Sequence, residues 1–384
     1  MNTSSYLLNL PARVCFGCGA VKELNTVLPA AAERILIVSG THLLKDGTTD
    51  RIAATLTDRS VQIISGIAPE PPLEDVDRVI AAGRDFRAQA VVAIGGGSII
   101  DTAKAAAAII PADGWCSDYF SGKKTIDAKG LFFAALPATA GTGAEMTKNS
   151  VLTDAATQVK KSLRSPFMTA DAAIVDPELT YSCPPVLTAA SGLDAFIQAT
   201  EAYTNPAAGT YTKALALKAL RLIDKNLERA CSGDHDARNA MAEGSMLAGM
   251  AFAPCGLGAV HGLAHPVGSL LHVPHGVACA VLMPYIFEFN TDAAARDYAD
   301  MAFALDLLPP SASCGDPADA AAVFVEESKR LAKALNIPAT FADYGLKDEH
   351  FPFIVKNCRS ASMKSNPRHM SDEDVLDLLQ KLKK

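Results

Sequence analysis

Through the first half of the chain, short apolar runs alternate with stretches whose apolar residues recur every three or four positions. Arg34-Ile35-Leu36-Ile37-Val38 is a nearly unbroken apolar run closed by Ser39-Gly40, which predicts a buried strand. Gln62-Ile63-Ile64, Ala90 to Ile94, Leu131 to Leu136 and Ala172 to Val175 read in the same way. Between them, Glu74 to Phe86 carries Val76, Val79, Ile80 and Phe86 at helical spacing and predicts a surface helix, and the Ala-rich stretch Ser98 to Ile110 predicts another. Strands that alternate with helices imply a parallel, doubly wound sheet.

The pattern changes after Pro184-Pro185. Val186 to Tyr203, Lys213 to Leu227, Ala237 to Phe252 and Asp319 to Leu335 are rich in Ala, Leu and Met at helical spacing and have little strand character. The expected architecture is therefore an α/β, doubly wound, Rossmann-like N-terminal domain over residues 1–182, followed by an all-α C-terminal domain over residues 183–384.

Composition narrows the function classes. With 384 residues, 49% of them hydrophobic, the chain can bury a large core, and its net charge of −7 speaks against a nucleic-acid partner, which needs a basic stripe. No apolar run reaches 18 residues, so no membrane span is expected. Met1 to Arg13 lacks the charged and apolar regions of a secretory signal, so a cytoplasmic location is expected. The nine cysteines are scattered and odd in number; only Cys15 and Cys18 have CxxC spacing, and no second pair completes a zinc site, so reduced thiols are expected.

Two segments carry phosphate-binding character. Ile94-Gly95-Gly96-Gly97-Ser98-Ile99-Ile100-Asp101 follows a buried strand and opens a helix. Its glycines let backbone N–H groups approach a pyrophosphate, and the helix N-terminus favours the negative charge. Pro137-Ala138-Thr139-Ala140-Gly141-Thr142-Gly143 follows the next strand and adds N–H and hydroxyl donors. The alternative is a pair of ordinary tight turns. The spacing is not GxGxxG, so the ordinary Rossmann fingerprint does not apply.

A metal constellation lies in the second half. His261 and His265 are four apart and share a helical face, while His275 sits between Pro274 and Gly276, in a turn at a helix start. Upstream, Asp194 and Gln198 are four apart on an otherwise apolar helix, where a carboxylate needs a partner or a metal. An Asp with two imidazoles suits Fe²⁺ or Zn²⁺ with an open position. The alternative is a capping Asp and satisfied core histidines, the reading adopted for His272.

At these residues the chain resembles the iron-containing (group III) alcohol dehydrogenases. The family's GGGSxxDxAK matches Gly95 to Lys104, its Gly-Thr-rich turn matches Thr139 to Glu145, and GLDAxxHAxE matches Gly192 to Glu201 except at Gln198. HGxAHxxG matches His261 to Gly268, PHG matches Pro274 to Gly276, and NPR matches Asn366 to Arg368. The motifs run in family order along nearly the whole chain.

The resemblance implies an N-terminal cofactor domain, a helical metal domain and a cleft between them, in a homodimer acting on a small alcohol or aldehyde. It implies Asp194, Gln198, His261 and His275 as ligands of a divalent metal, Fe²⁺ first and Zn²⁺ second. It places His265 beside the nicotinamide of NAD or NADP as the catalytic proton relay. Gly96, Gly97, Ser98, Thr139 and Thr142 would hold the cofactor phosphates; Asp101 and Ala140 belong to the same two segments, and Lys160 would lie near the ribose. Tyr6 to Phe16, apolar and loosely alternating, would add an edge strand to a neighbouring subunit; the alternative is an internal edge strand within one subunit.

Three departures from the family matter. Gln198 stands where the family usually has His, and an amide oxygen is the weaker ligand. Ser39-Gly40 stands where NAD-selective members carry Asp, which opens the site to the 2′-phosphate of NADP. Ser362 stands where some members bring a Cys towards the substrate. Two competing functions follow: an enzyme on the same scaffold for an anionic substrate, of maleylacetate reductase, polyol-phosphate dehydrogenase or dehydroquinate synthase type with Lys364 as cation, or a non-catalytic nucleotide-binding protein.

Overall fold

The computed structural model describes residues 6–309 and 315–384. They form two compact units: residues 8–183, and the residues from 184 onward together with the segment before Leu8.

The first unit is built on eight strands: β1 (Arg13–Phe16), β2 (Arg34–Ser39), β3 (Ser60–Ile64), β4 (Ala90–Gly95), β5 (Phe132–Pro137), β6 (Asn149–Asp154), β7 (Val159–Arg164) and β8 (Ala172–Val175). Six of them make one parallel sheet in the order β1-β8-β5-β4-β2-β3. The strands that read as apolar runs do so because both faces are covered, and alternate residues feed opposite cores. Leu36, Val38, Val91, Ala93, Phe133 and Ala135 join the helices Leu73–Asp85 and Gly97–Ile109 on one side. Ile35, Ile37, Val92, Ile94, Ala134, Leu136 and Ile174 join Leu24, Val27, Leu43 and Ile52 on the other.

The strand order also locates a crevice. From β2 the chain moves outward to β3, returns past β2 to β4, and then continues the opposite way to β5 and β8. Such a reversal opens a space at the carboxyl ends of the strands on either side of it, where doubly wound sheets bind ligands. Here those ends are Ser39-Gly40 on β2 and Gly95 to Gly97 on β4.

One feature departs from the sequence reading. β6 and β7 form an antiparallel hairpin that the sequence pattern did not announce, because its residues are mostly polar and only partly buried. The segment from Tyr6 to Phe16 contains an edge strand of this chain's own sheet. Arg13–Phe16 pairs within its own chain, with Arg13 opposite Ala172 on β8, while Tyr6 lies against Tyr211 of the helical unit, ring centroids 6.1 Å apart.

The helical unit contains the expected helices as Pro185–Thr204, Thr210–Cys231, His235–Phe252 and Pro317–Ala334. Two more, Ala259–Leu271 and His275–Ala304, each have a proline in their interior, Pro266 and Pro284, which disguises them in the sequence. Pro185–Thr204 is buried along its whole length from Thr188 onward, as a helix apolar on all sides must be. A Cβ at Gly192 would meet Leu227 at 2.3 Å, so glycine there lets the neighbouring helix close in. Among the described residues, no helix is long and apolar enough to cross a membrane, and the described cysteines are free thiols.

Candidate active site

Three helices of the second unit bring the candidate metal ligands together. Asp194 and Gln198 are one turn apart on Pro185–Thr204, and the Gln198 amide donates from Nε2 to Asp194 Oδ2 at 2.9 Å. His261 enters from Ala259–Leu271, with Nε2 3.1 Å from Asp194 Oδ1. His275 is the first residue of the next helix, after Pro274, and its Nε2 is 3.9 Å from the same oxygen. His272 closes the preceding helix with φ +54°, in the left-handed region, and so turns the chain between the two histidine-bearing helices. His265 is half-buried, one turn after His261, its ring 5.5 Å from that of His275.

The His261 helix is anchored at its start. Glu201 accepts the Val260 N–H at 2.8 Å, and Asn366 accepts the Ala259 N–H at 3.1 Å, so two N–H groups without intrahelical partners are satisfied. The second oxygen of Glu201 lies 2.6 Å from His261 Nδ1. A carboxylate behind an imidazole fixes its tautomer and directs the other nitrogen forward, here towards Asp194. Neither Glu201 nor Asn366 was given a role from the sequence, although both lie in segments that carry the family resemblance.

Cys279 is a further member that sequence reasoning missed. It lies one turn beyond His275, buried, and the ligand atoms of Asp194, His261, His275 and Cys279 all lie within 4.8 Å of one another. The i, i+4 spacing from His275 was the available signal.

The electrostatics of this cluster are those of an ion-binding pocket. Burial opposes a charge on His261, but Cys279, Glu201 and Asp194 outweigh it and hold the imidazole well above its usual pKa. Burial pushes the Cys279 thiol up to about 11, so at neutral pH it is the two carboxylates that keep the His261 proton. A metal takes the place of such a proton, since its ligands must be deprotonated. The Gln198 side-chain oxygen supplies a second sign. Gln198 is 2% exposed and its Oε1 has no hydrogen-bond partner; leaving such an atom unsatisfied costs about 1–3 kcal/mol, and a cation would satisfy it. Carboxylate oxygen, amide oxygen and imidazole nitrogen together fit a divalent ion such as Fe²⁺ or Zn²⁺.

In the α/β unit, the two Gly-rich turns meet. A Cβ at Gly97 would stand 2.7 Å from Thr142 Cγ2 and 2.8 Å from its Oγ1, and one at Gly96 would stand 3.4 Å from Thr139. Glycine at 97 therefore permits the turn after β5 to close onto the start of the Gly97–Ile109 helix. The Gly40 N–H donates to Ile94 O at 2.9 Å, which holds the end of β2 against β4. Gly40, Gly96, Gly97, Ser98, Thr139, Ala140 and Thr142 thus gather at the carboxyl ends of β2, β4 and β5, where the strand order reverses.

Asp101 and Lys160 lie deeper, by the hairpin. Asp101 Oδ2 accepts the Val151 N–H at 2.9 Å, and its Oδ1 is 3.7 Å from the buried Lys104 Nζ. Lys160, on β7, is ion-paired with Glu70. Lys104 donates to the carbonyls of Ala144 and Asn149, at 2.6 and 2.5 Å. Next to Ala144, burial pushes the Glu145 carboxyl up to about 7 against the pull of Lys104.

Comparison with known proteins agrees with both units. Residues 11–177 match the iron-containing alcohol dehydrogenase family, and residues 188–383 match the C-terminal part of the Fe-containing alcohol dehydrogenase family. The chain belongs to the iron-containing alcohol dehydrogenase family. As a member of it, the protein is a nicotinamide- and metal-dependent oxidoreductase that interconverts alcohols with aldehydes or ketones. It is 37% identical over 348 residues to long-chain-alcohol dehydrogenase 1 of Geobacillus thermodenitrificans, covering 89% of this chain and 87% of that one. It is 31% identical to the NADPH-dependent butanol dehydrogenase of Clostridium saccharobutylicum, covering 95% of each. The crystal structure of a 1,3-propanediol oxidoreductase superposes with a TM-score of 0.91 at 31% identity, covering 99% of this chain and 100% of that one. The iron-containing alcohol dehydrogenase architecture is thus present in both units.

Proposed function

We propose that this alcohol dehydrogenase acts on a small neutral alcohol or aldehyde, with Asp194, Gln198, His261 and His275 as metal donors and His265 as proton relay. The observation that carries the reading is the convergence of Asp194, His261 and His275 beside the unpartnered oxygen of Gln198. When bound, the divalent ion supplies Lewis acidity towards the substrate oxygen and the nicotinamide accepts or gives the hydride. The chain's own part is positional and protonic. Glu201 holds His261 in one tautomer, and the Gln198 amide holds Asp194 by its second oxygen, leaving Oδ1 facing both imidazoles. His265 passes the alcohol proton towards solvent, a task suited to an imidazole, whose unperturbed pKa lies near neutrality.

Gly40, Gly96, Gly97, Ser98, Thr139, Ala140 and Thr142 form the cofactor site in this reading, with Asp101 and Lys160 behind them. NADP(H) is accepted beside NAD(H), because Gly40 presents no carboxylate to a 2′-phosphate; the NADPH-dependent relative supports this. The enzyme works as a cytoplasmic homodimer, a reading supported by the free thiols and by Val14 and Phe16, which are exposed on the edge strand β1. Light scattering that gave the mass of one chain at micromolar concentration would remove the dimer.

The deciding experiment is the His261→Ala variant. It should lose its metal and nearly all alcohol oxidation while keeping the native circular dichroism spectrum. Full metal content and an unchanged rate would overturn the assignment.

A further inference from the structure

The donor set around His275 contains one side chain more than the proposed function uses. Cys279 is fully buried, and its Sγ lies 3.7 Å from His275 Nε2 and 3.9 Å from Nδ1. It also stands beside His261. A structural thiol in a helical core ordinarily packs against apolar neighbours; this one faces two imidazoles and Asp194 across less than 4.8 Å.

The spacing is that of a coordination shell. Donors bound 2.0–2.3 Å from one ion at tetrahedral angles stand about 3.3–3.6 Å from each other. The Asp194–His261, Asp194–His275 and His275–Cys279 separations are 3.1, 3.9 and 3.7 Å. They straddle that value, and the sulfur edge fits as well as the two nitrogen–oxygen edges. The chemistry supports the geometry. Gln198 offers only a neutral amide oxygen, a weak donor, whereas a thiolate brings a full negative charge and a soft, strongly bonding atom.

We propose that Cys279 is a metal ligand of this chain's centre, its thiolate joining Asp194, His261 and His275 and shifting the site's preference towards Zn²⁺. The inference rests on the metal reading given under Proposed function. On binding, the Sγ–H bond breaks, a metal–sulfur bond forms, and the proton leaves to solvent, so no redox partner is needed. Thiolate ligation favours zinc, while an oxygen and imidazole set alone suits Fe²⁺ as well.

The test uses the full-length protein, stripped of metal with a chelator and titrated with Co²⁺ alone. A thiolate bound to Co²⁺ gives an intense near-ultraviolet charge-transfer band that oxygen and imidazole donors do not. The native protein should show this band at one equivalent, Gln198→Ala should keep it, and Cys279→Ala should lose it while still binding Co²⁺. In Cys279→Ala, zinc affinity should fall by at least the about 10- to 100-fold that follows loss of a partner behind a ligand, and iron affinity by less. Cys279→Ser, with nearly the native volume, guards against a packing artefact and should also lose the band. Stoichiometric Co²⁺ binding without the band in the native protein, or a band that survives Cys279→Ala, would overturn the proposal and leave the metal reading standing. If native protein binds no divalent ion, both fall.

Discussion

Glu201 grips His261 from behind. Its Oε2 lies 2.6 Å from Nδ1, and its Oε1 accepts the N–H of Val260, the residue just before. One buried carboxylate thus sets both the start of the helix and the orientation of the imidazole it carries. Glu201→Gln keeps the shape but turns one acceptor into an NH₂ group that faces Nδ1–H. The variant should bind Fe²⁺ or Zn²⁺ about 10- to 100-fold more weakly, as removal of such a partner usually does. Competitive titration against a fluorescent chelator measures it; native affinity would mean that the helix alone orients His261.

The contact between the two Gly-rich turns should be sensitive to a single methyl group. Gly97→Ala places a Cβ 2.7–2.8 Å from the Thr142 side chain. Overpacking of this kind costs about 1–3 kcal/mol. We expect a lower Tm and a raised KM for the nicotinamide cofactor. Adding Thr142→Ala should recover the Tm but not the KM, since Thr142 then no longer offers its hydroxyl. Recovery of both would show that Thr142 only fills space.

Gly40 has room for a carboxylate. A Cβ there meets nothing nearer than 3.8 Å, and its φ of −63° suits any residue. Gly40→Asp should therefore fold normally and discriminate against the 2′-phosphate. An electrostatic penalty of about 1.4 kcal/mol corresponds to roughly tenfold in the NADP to NAD ratio of kcat/KM. A ratio unchanged by the substitution would locate cofactor choice at other residues.

The Glu145 carboxyl should make stability fall as pH rises. Burial lifts its pKa from 4.5 to about 7 in the folded chain. The folded state therefore favours the protonated acid, and the stability this brings is present below pH 4.5 and lost as the pH climbs through about 7. The difference is on the order of 3 kcal/mol. Glu145→Gln mimics the neutral acid, so its Tm relative to the native protein should be higher at pH 8 than at pH 5. A Tm difference that is the same at both pH values would count against a buried, proton-holding Glu145.

Much of the fold was legible because burial on two faces leaves a mark on the sequence. β2, β4, β5 and β8 are apolar at nearly every position, and each was readable to within a residue or two. The β6–β7 hairpin was not, since strands such as Val159–Arg164, with two lysines and an arginine, carry neither an apolar run nor clean alternation. In the helical unit, Pro266 and Pro284 broke the expected pattern, so two helices were visible only through their histidines. Asp194, His261 and His275 could be picked out by residue type and spacing. Glu201 could not, because a carboxylate behind a ligand is defined by where helices meet, and Cys279 carried only its i, i+4 spacing from His275 as a signal. Arg13–Phe16 pairs with β8 on one side and is the last strand of its sheet, a placement the sequence does not reveal because a four-residue strand carries no mark of which edge it will cover.

The wide separation of the site's members along the chain has a consequence for how the enzyme matures. Asp194 and His261 are 67 residues apart, and His275 follows only after the reversal at His272. No fragment that lacks either end of the stretch from Asp194 to His275 can present the three side chains together, so the centre depends on non-local contacts of the kind that limit folding rate. With an ion bound as proposed, its uptake would act as a checkpoint on the nascent chain. An ion held by Asp194, His261 and His275 would clamp three helices together, and a chain without it would keep a weaker seam there, more open to proteases. Cellular metal supply would in this way set how much finished enzyme accumulates, as well as how active each molecule is.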